Sequence, residues 1–202
     1  GRFDLAIAIG ILAASGQIPA EKLKQLEFLG ELALSGEVRP VSAALPGVMA
    51  ASQLNRGIII PEANSQEASL LKGANCHSCR HLLEVISHLQ GKTVLPAVLK
   101  SKQAQPEFNV DLRDVVGQYN ARRALIISAA GGHNLLMVGP PGTGKTMLAS
   151  RICSILPPLD ESSAMETAAL RSLASFSFDA SKWRLPPFRA PHHTSSAVAL
   201  VG

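Results

Sequence analysis

GPPGTGKT, residues 139–146, decides how this chain is read. A polyphosphate carries several negative charges that must be met by donors at close range. Gly139, Gly142 and Gly144 let the backbone curl so that successive N–H groups point inward, where side chains would block the approach. Pro140, Pro141 and Thr143 complete the loop. It feeds the start of a helix, whose unpaired N–H groups and dipole favour anions. Lys145 brings a point charge to the β- and γ-phosphates, and the Thr146 hydroxyl ligates the Mg²⁺ that travels with the nucleotide. HNLLMV (133–138) reads as a buried strand leading in, and TMLASRICSIL (146–156) as a helix leading out, stopped by Pro157 and Pro158. Strand, loop and helix stand in the order the chemistry requires, so the sequence predicts a site for ATP and Mg²⁺.

Hydrolysis asks for more: an acid to hold the metal and polarise water, and a cationic group for transition-state charge. Downstream of Thr146 the only acids are Asp160, Glu161, Glu166 and Asp179, and none ends a hydrophobic run. The 202-residue chain is therefore expected to bind nucleotide and to turn it over poorly.

Composition sets the outer limits. A hydrophobic content of 47% with 17% charged residues describes a soluble globular protein with material for one large or two small domains. The chain opens on Gly1, within two residues of an apolar helical pattern, as expected of a piece of a longer protein. Its longest apolar run, 5–14, is too short to span a bilayer, and nothing resembles a secretory signal. A net charge of +4 permits contact with a nucleic-acid backbone without demanding it. One Trp, one Tyr and six Phe offer no stacking platform for single strands. Three cysteines without a regular framework suit a reducing, cytoplasmic setting.

Upstream of the loop, FDLAIAIGILAASG (3–16) is helical in period and ends at Gly16. LGELALSGEVRPV (29–41) alternates around Ser35 and Gly36 as a β-hairpin, with Leu32, Leu34 and Val38 on its inner face. PGVMAASQLN (46–55) suits a helix with Pro46 in its first turn, and RGIIIP (56–61) a buried strand, together the second half of a βαβ crossover. Helices are expected in EANSQEASLL (62–71) and RHLLEVISHL (80–89), the latter stopped by Gly91. This α+β domain spans 1–90. A Lys-, Gln-, Pro- and Ser-rich linker covers 91–108, and the second domain covers 109–202. The latter opens with one long helix in DLRDVVGQYNARRALIISAAGG (111–132).

Smaller signals have plain and functional readings. Cys76, Cys79 and His81, with His77 or His88 as a fourth ligand, have a spacing that can grip zinc. A second spaced pair is missing, and a loop leading into the next helix is the preferred reading. Cys153 reads as packing. His192 and His193 are neighbours that point apart on a strand, so loop structure is preferred to a shared metal. Arg122 and Arg123 read as a solvated helical face before a DNA contact. Trp183 reads equally as core or as surface anchor.

From Asp111 onward the chain resembles the magnesium chelatase-related branch of the AAA+ ATPases. DLRDVVGQ, AAGGHNLL, GPPGTGKT and PFRAPHHTSSAVALVG carry the resemblance. It implies that Val116, Gly117 and Gln118 lie beside the adenine, and that the acidic strand, sensors and arginine finger fall beyond Gly202. It also implies that PFRAPHHTSS faces the pore of a ring, with Arg189 against a phosphate backbone. Residues 1–90 resemble the domain that precedes this module in the ComM (YifB) group, itself similar to the S5-like proteolytic domain of Lon. ELALSGEVRPVSAALPGVMAA (31–51) carries that likeness. Lon uses a Ser-Lys dyad. Here the serine would fall before Gly1 and the lysine near Leu45, and no lysine occurs between Lys24 and Lys72, so peptidase chemistry is expected to be absent.

The resulting fold class is α/β: an S5-like α+β domain followed by the N-terminal part of a P-loop AAA+ α/β domain. The resemblance implies a homo-hexameric, cytoplasmic ATPase acting on branched or single-stranded DNA, a helicase for branch migration in natural transformation, with no membrane partner. Two rivals remain: an ATPase subunit for metal insertion into a tetrapyrrole, and a protein-remodelling ATPase. The position of the loop, at 139 rather than near the N-terminus, favours the ComM group over true chelatase subunits.

Overall fold

A computed structural model describes residues 1–99, 108, 110–174, 178–179 and 182–191. The chain divides into two compact units, Gly1–Gln105 with Met165–Trp183, and Pro106–Ala164 with Arg184–Gly202.

In the first unit, helix α1 (Asp4–Ala14) is apolar almost all round and ends where Gly16 turns left-handed at φ +74°. Strand β1 (Leu26–Phe28) follows, then the hairpin β2 (Glu31–Leu32) and β3 (Val38–Arg39), helix α2 (Ala44–Gln53) and strand β4 (Gly57–Pro61). Helix α3 (Ser65–Ala68), strand β5 (Cys76–Cys79) and helix α4 (Leu82–Leu89) complete the series. β4 lies between β1 and β5, parallel to both, with Phe28 opposite Ile59 and Ile58 opposite Cys76. Crossovers on both faces explain why GIIIP is apolar at every position. Ile58 and Ile60 pack with Ala44, Val48 and Ala51 of α2 on one side. Ile59 packs with Leu5 and Ile9 of α1 and Val85 and Leu89 of α4 on the other. Those eight larger side chains and the two alanines are at most 3% exposed.

Several expectations need correction. Leu34 is fully exposed rather than on the inner face of the hairpin, because it sits in the turn beyond the paired residues. Val38 is buried and Leu32 half-buried, as an inner face requires. Gly36, at φ +89°, closes the turn against His81, whose ring would lie 2.7 Å from an added Cβ. EANSQEASLL forms a 3₁₀ turn over Glu62–Asn64 and only one turn of α-helix in α3. The linker does not begin at residue 91. Ser78 N–H donates to Pro96 O at 3.0 Å, Val98 N–H donates to Cys76 O at 2.8 Å, and Leu95 is buried. These bonds occupy the free edge of β5, so the chain stays with the sheet through Val98. Residues 165–183, placed by sequence in the second domain, fall with the first unit. There Ala43 N–H donates to Ser172 O at 2.8 Å, and Trp183 is buried rather than a surface anchor.

The second unit opens with a 3₁₀ turn, Leu112–Asp114, closed by a reciprocal cap between Asp111 and Asp114. The long helix expected from Asp111 starts only at Tyr119, as α5 (Tyr119–Gly131). Gly117 at φ +71° and Gln118 at φ +53° reverse the chain in between, a conformation no helix interior accommodates. Helix α6 (Lys145–Ser150) and a 3₁₀ turn over Ile152–Ser154 precede the prolines. Helix α7 (Glu161–Ala174), most of which falls with the first unit, lies where no helix is expected from the sequence. Its signal was Asp160, whose carboxylate accepts from Ser163 N–H at 2.9 Å and Ser163 Oγ at 2.7 Å, with Glu161 in the first turn. Leu112, Val115, Leu125 and Leu148 form this unit's core. HNLLMV forms no strand and has no strand partner among the described residues, and Leu136 and Val138 are 86% and 87% exposed. A strand exists only through its neighbours, and the described residues of this unit supply none. No helix among the described residues is long and apolar enough to cross a membrane.

The loop before α2 hangs on one side chain. Buried Asn64 accepts from Val41 N–H at 3.0 Å, donates to Val41 O at 2.9 Å, and donates to Glu67 Oε1 at 2.6 Å. Asn64→Ala strands both backbone groups and a buried carboxylate, so it is expected to destabilise the fold by about 3 kcal/mol. A fall in the urea midpoint at unchanged m-value measures it.

Candidate nucleotide-binding site

The 139–146 loop runs into α6 through two left-handed glycines, Gly142 at φ +80° and Gly144 at φ +84°. A side chain at either position would be strained whatever the space around it. Lys145, the first residue of α6, turns its ammonium back over the loop. Its Nζ donates to Gly139 O at 2.8 Å, Pro140 O at 2.7 Å and Thr143 Oγ1 at 3.2 Å.

Beside the loop lies a cleft of about 470 Å³. The first turns of α5 give it Gln118, Ala121 and Ala124; residues 135–140 form a second wall, and Thr143, Lys145 and Leu148 complete it. Lys145 is the only charged side chain among the described lining residues. The cleft thus offers one cation, one amide and otherwise small or apolar contacts, a set that suits a polyanion joined to a flat heterocycle.

Of the loop residues singled out by sequence, Gly139, Pro140, Thr143 and Lys145 line the cleft, whereas Pro141, Gly142, Gly144 and Thr146 do not. Thr146 is exposed at the second position of α6. Of the three residues assigned to the base, Gln118 lines the cleft. Val116 is 94% exposed, and neither it nor Gly117 does. Sequence reading missed Ala121 and Ala124, which share a helix face at i and i+3. Small residues so spaced at the start of α5 were the available signal. None of Asp160, Glu161, Glu166 and Asp179 lines the cleft. Asp160 is committed to capping α7, and Asp179 pairs with Lys182 at 3.0 Å.

Other candidates disperse. Cys76 and Cys79 share a strand at i and i+3 and so point to opposite faces of the sheet, one into each core. They cannot share a zinc ion, and no group of three or more metal-ligating side chains occurs among the described residues. His81 Nδ1 instead accepts from Leu83 N–H at 3.1 Å, capping α4. The His77 and His88 rings lie 5.6 Å apart, with His88 Nδ1 accepting from Leu95 N–H at 3.2 Å. Burial, and then His88, lower the pKa of His77. Arg123 and Arg189 are exposed and Arg122 is half-buried; His192 and His193 lie outside the described residues.

Two family models match, "Magnesium chelatase, subunit ChlI" over residues 111–202 and "Subunit ChlI of Mg-chelatase" over residues 1–64. The chain is 48% identical to the competence protein ComM of Haemophilus influenzae, aligned over all of this chain and 41% of that protein. The chain belongs to the magnesium chelatase-related ComM family. It is also 46% identical, over its whole length, to the YifB proteins of Salmonella typhimurium and Escherichia coli, covering 40% of each. It therefore spans about two-fifths of the length of these ComM-family relatives.

Burial pushes the Cys76 and Cys79 thiols up to about 12, with Glu84 adding to the effect at Cys79. Burial also raises Cys153. At pH 8 neither Cys76 nor Cys79 carries an appreciable thiolate, and thiolate is the reactive form. Alkylation of the native chain is expected to be slow, with half-buried Cys153 modified first and Cys76 and Cys79 only on unfolding. Mass spectrometry after timed iodoacetamide exposure measures the order.

Proposed function

We propose that this chain binds ATP with Mg²⁺ at the 139–146 loop and forms the nucleotide-binding part of a larger ATPase that acts on DNA. The observation that carries the reading is the placement of Lys145 as the sole charge among the described residues of a cleft also walled by Gln118. Lys145 would meet the β- and γ-phosphates, and Thr146 would supply a hydroxyl to Mg²⁺, which neutralises phosphate charge when bound. Gln118, with Ala121 and Ala124, would lie along the base. Glycines at 142 and 144 keep the loop free of side chains where phosphate oxygens approach.

The first unit fits an S5-like domain placed ahead of an AAA+ module, serving structure or assembly. Leu45, near which the resemblance would put Lon's lysine, is fully buried in the core and has no proton to exchange, which supports a unit without peptidase chemistry. The DNA role, in competence and natural transformation and in the form of a ring, rests on likeness to a protein named for competence. A net charge of +4 and an exposed Arg189 are compatible with it. The family models, which carry the name of a chelatase subunit, favour a second reading as an ATPase for metal insertion. Stimulation of the whole protein's ATPase by branched DNA, rather than by chelatase partners, separates the two.

Calorimetric titration of the 202-residue chain with MgATP is expected to show binding, and Lys145→Ala to weaken it about 10- to 100-fold. Absence of binding by the unsubstituted chain overturns the reading. The same chain, with no carboxylate among the described lining residues of its cleft, is expected to release phosphate far more slowly than the whole protein. A malachite-green time course comparing the two checks this.

A further inference from the structure

The lysine ammonium has three donors, and the loop uses all of them. Two go to backbone carbonyls, Gly139 O and Pro140 O, and the third to the Thr143 hydroxyl. Thr143 Oγ1 in turn donates its proton to Pro140 O at 2.9 Å. The hydroxyl is thus engaged twice, as acceptor from Lys145 and as donor to the carbonyl that Lys145 also uses. Pro140 O, Thr143 Oγ1 and Lys145 Nζ close a three-membered ring of hydrogen bonds across the mouth of the loop.

We propose that Thr143 is a positioning residue for Lys145: its hydroxyl, held by Pro140 O, fixes where the ammonium stands over the phosphate-binding loop. This rests on the nucleotide-binding reading given above and adds a role that side-chain type alone does not reveal. A backbone carbonyl needs no particular residue to supply it, whereas the third acceptor exists only because residue 143 carries a hydroxyl. Hydroxyl chemistry is therefore the requirement at 143, and bulk is not. Serine can supply it; valine, of the same shape as threonine, and alanine cannot. Because Lys145 acts on the β- and γ-phosphates, its misplacement should be felt by ligands that carry those phosphates and not by a monophosphate.

The experiment measures the affinity of the full 202-residue chain for MgATP and for AMP, in unsubstituted, Thr143→Val, Thr143→Ala and Thr143→Ser forms. The expected result is a loss of about 10-fold in MgATP affinity for the valine and alanine variants, the size of one hydrogen bond to a charged group. Serine restores most of that affinity, and AMP affinity stays unchanged throughout. Unchanged MgATP affinity in both hydroxyl-free variants overturns the inference. Equal losses for MgATP and AMP, or failure of serine to rescue, also overturn it, because a general disturbance of the loop produces that pattern. Thermal unfolding of each variant identifies a folding defect, and alanine serves as the hydroxyl-free test if valine unfolds the chain. If the unsubstituted chain binds no MgATP, the functional reading falls first and this inference with it; if it binds, the Thr143 comparisons judge the inference alone.

Discussion

Gly57–Pro61 can exist as a strand only if both of its faces and both of its edges are covered. Its backbone is satisfied by β1 on one side and β5 on the other, and its isoleucines alternate between two cores. Most of the larger elements of the first unit answer one of those needs. α2 covers Ile58 and Ile60, α1 and α4 cover Ile59, and the stretch up to Val98 occupies the outer edge of β5. Fully burying an aliphatic side chain of that size contributes about 2 kcal/mol, so three adjacent isoleucines account for much of what holds the layers together.

The second unit shows the complementary case. HNLLMV has the composition of such a strand but no partner among the described residues, and Leu136 and Val138 stay exposed. The site forms nonetheless, because its parts are local. Two left-handed glycines set the loop, α6 begins at Lys145, and the turn at Gly117 and Gln118 brings the start of α5 alongside. A phosphate-binding loop needs a fixed backbone path and one well-placed cation, and both arise here within 30 residues of sequence.

That locality explains what was legible. The octapeptide could be read because glycine positions, lysine and threonine each have a separate physical reason to be there. The buried strand and the stop at Gly16 were equally open to periodicity and to glycine's freedom at positive φ. What failed to show was non-local. Leu34 alternates correctly yet lies in the turn, because sequence does not say how few residues pair. Residues 95–98 look like linker, and only the open edge of β5 gives their backbone a partner. Cys76–Cys79, for which a loop is the reading preferred over a metal site, is instead strand β5, and strand geometry sends the two sulfurs into opposite cores. In the cleft, Gln118 came from a family resemblance and was retained beside the loop, whereas Val116 was not, because the left-handed turn between them points the chain elsewhere.

Gln118 itself sits at φ +53°, a region that costs a residue with a Cβ about 1 kcal/mol and costs glycine almost nothing. Gly117, immediately before it, already shows the cheaper choice at φ +71°. Stability and recognition therefore pull this position in opposite directions. Drift toward glycine would relax the backbone and erase the only amide side chain among the described residues that border the cavity, leaving bare main chain at that corner.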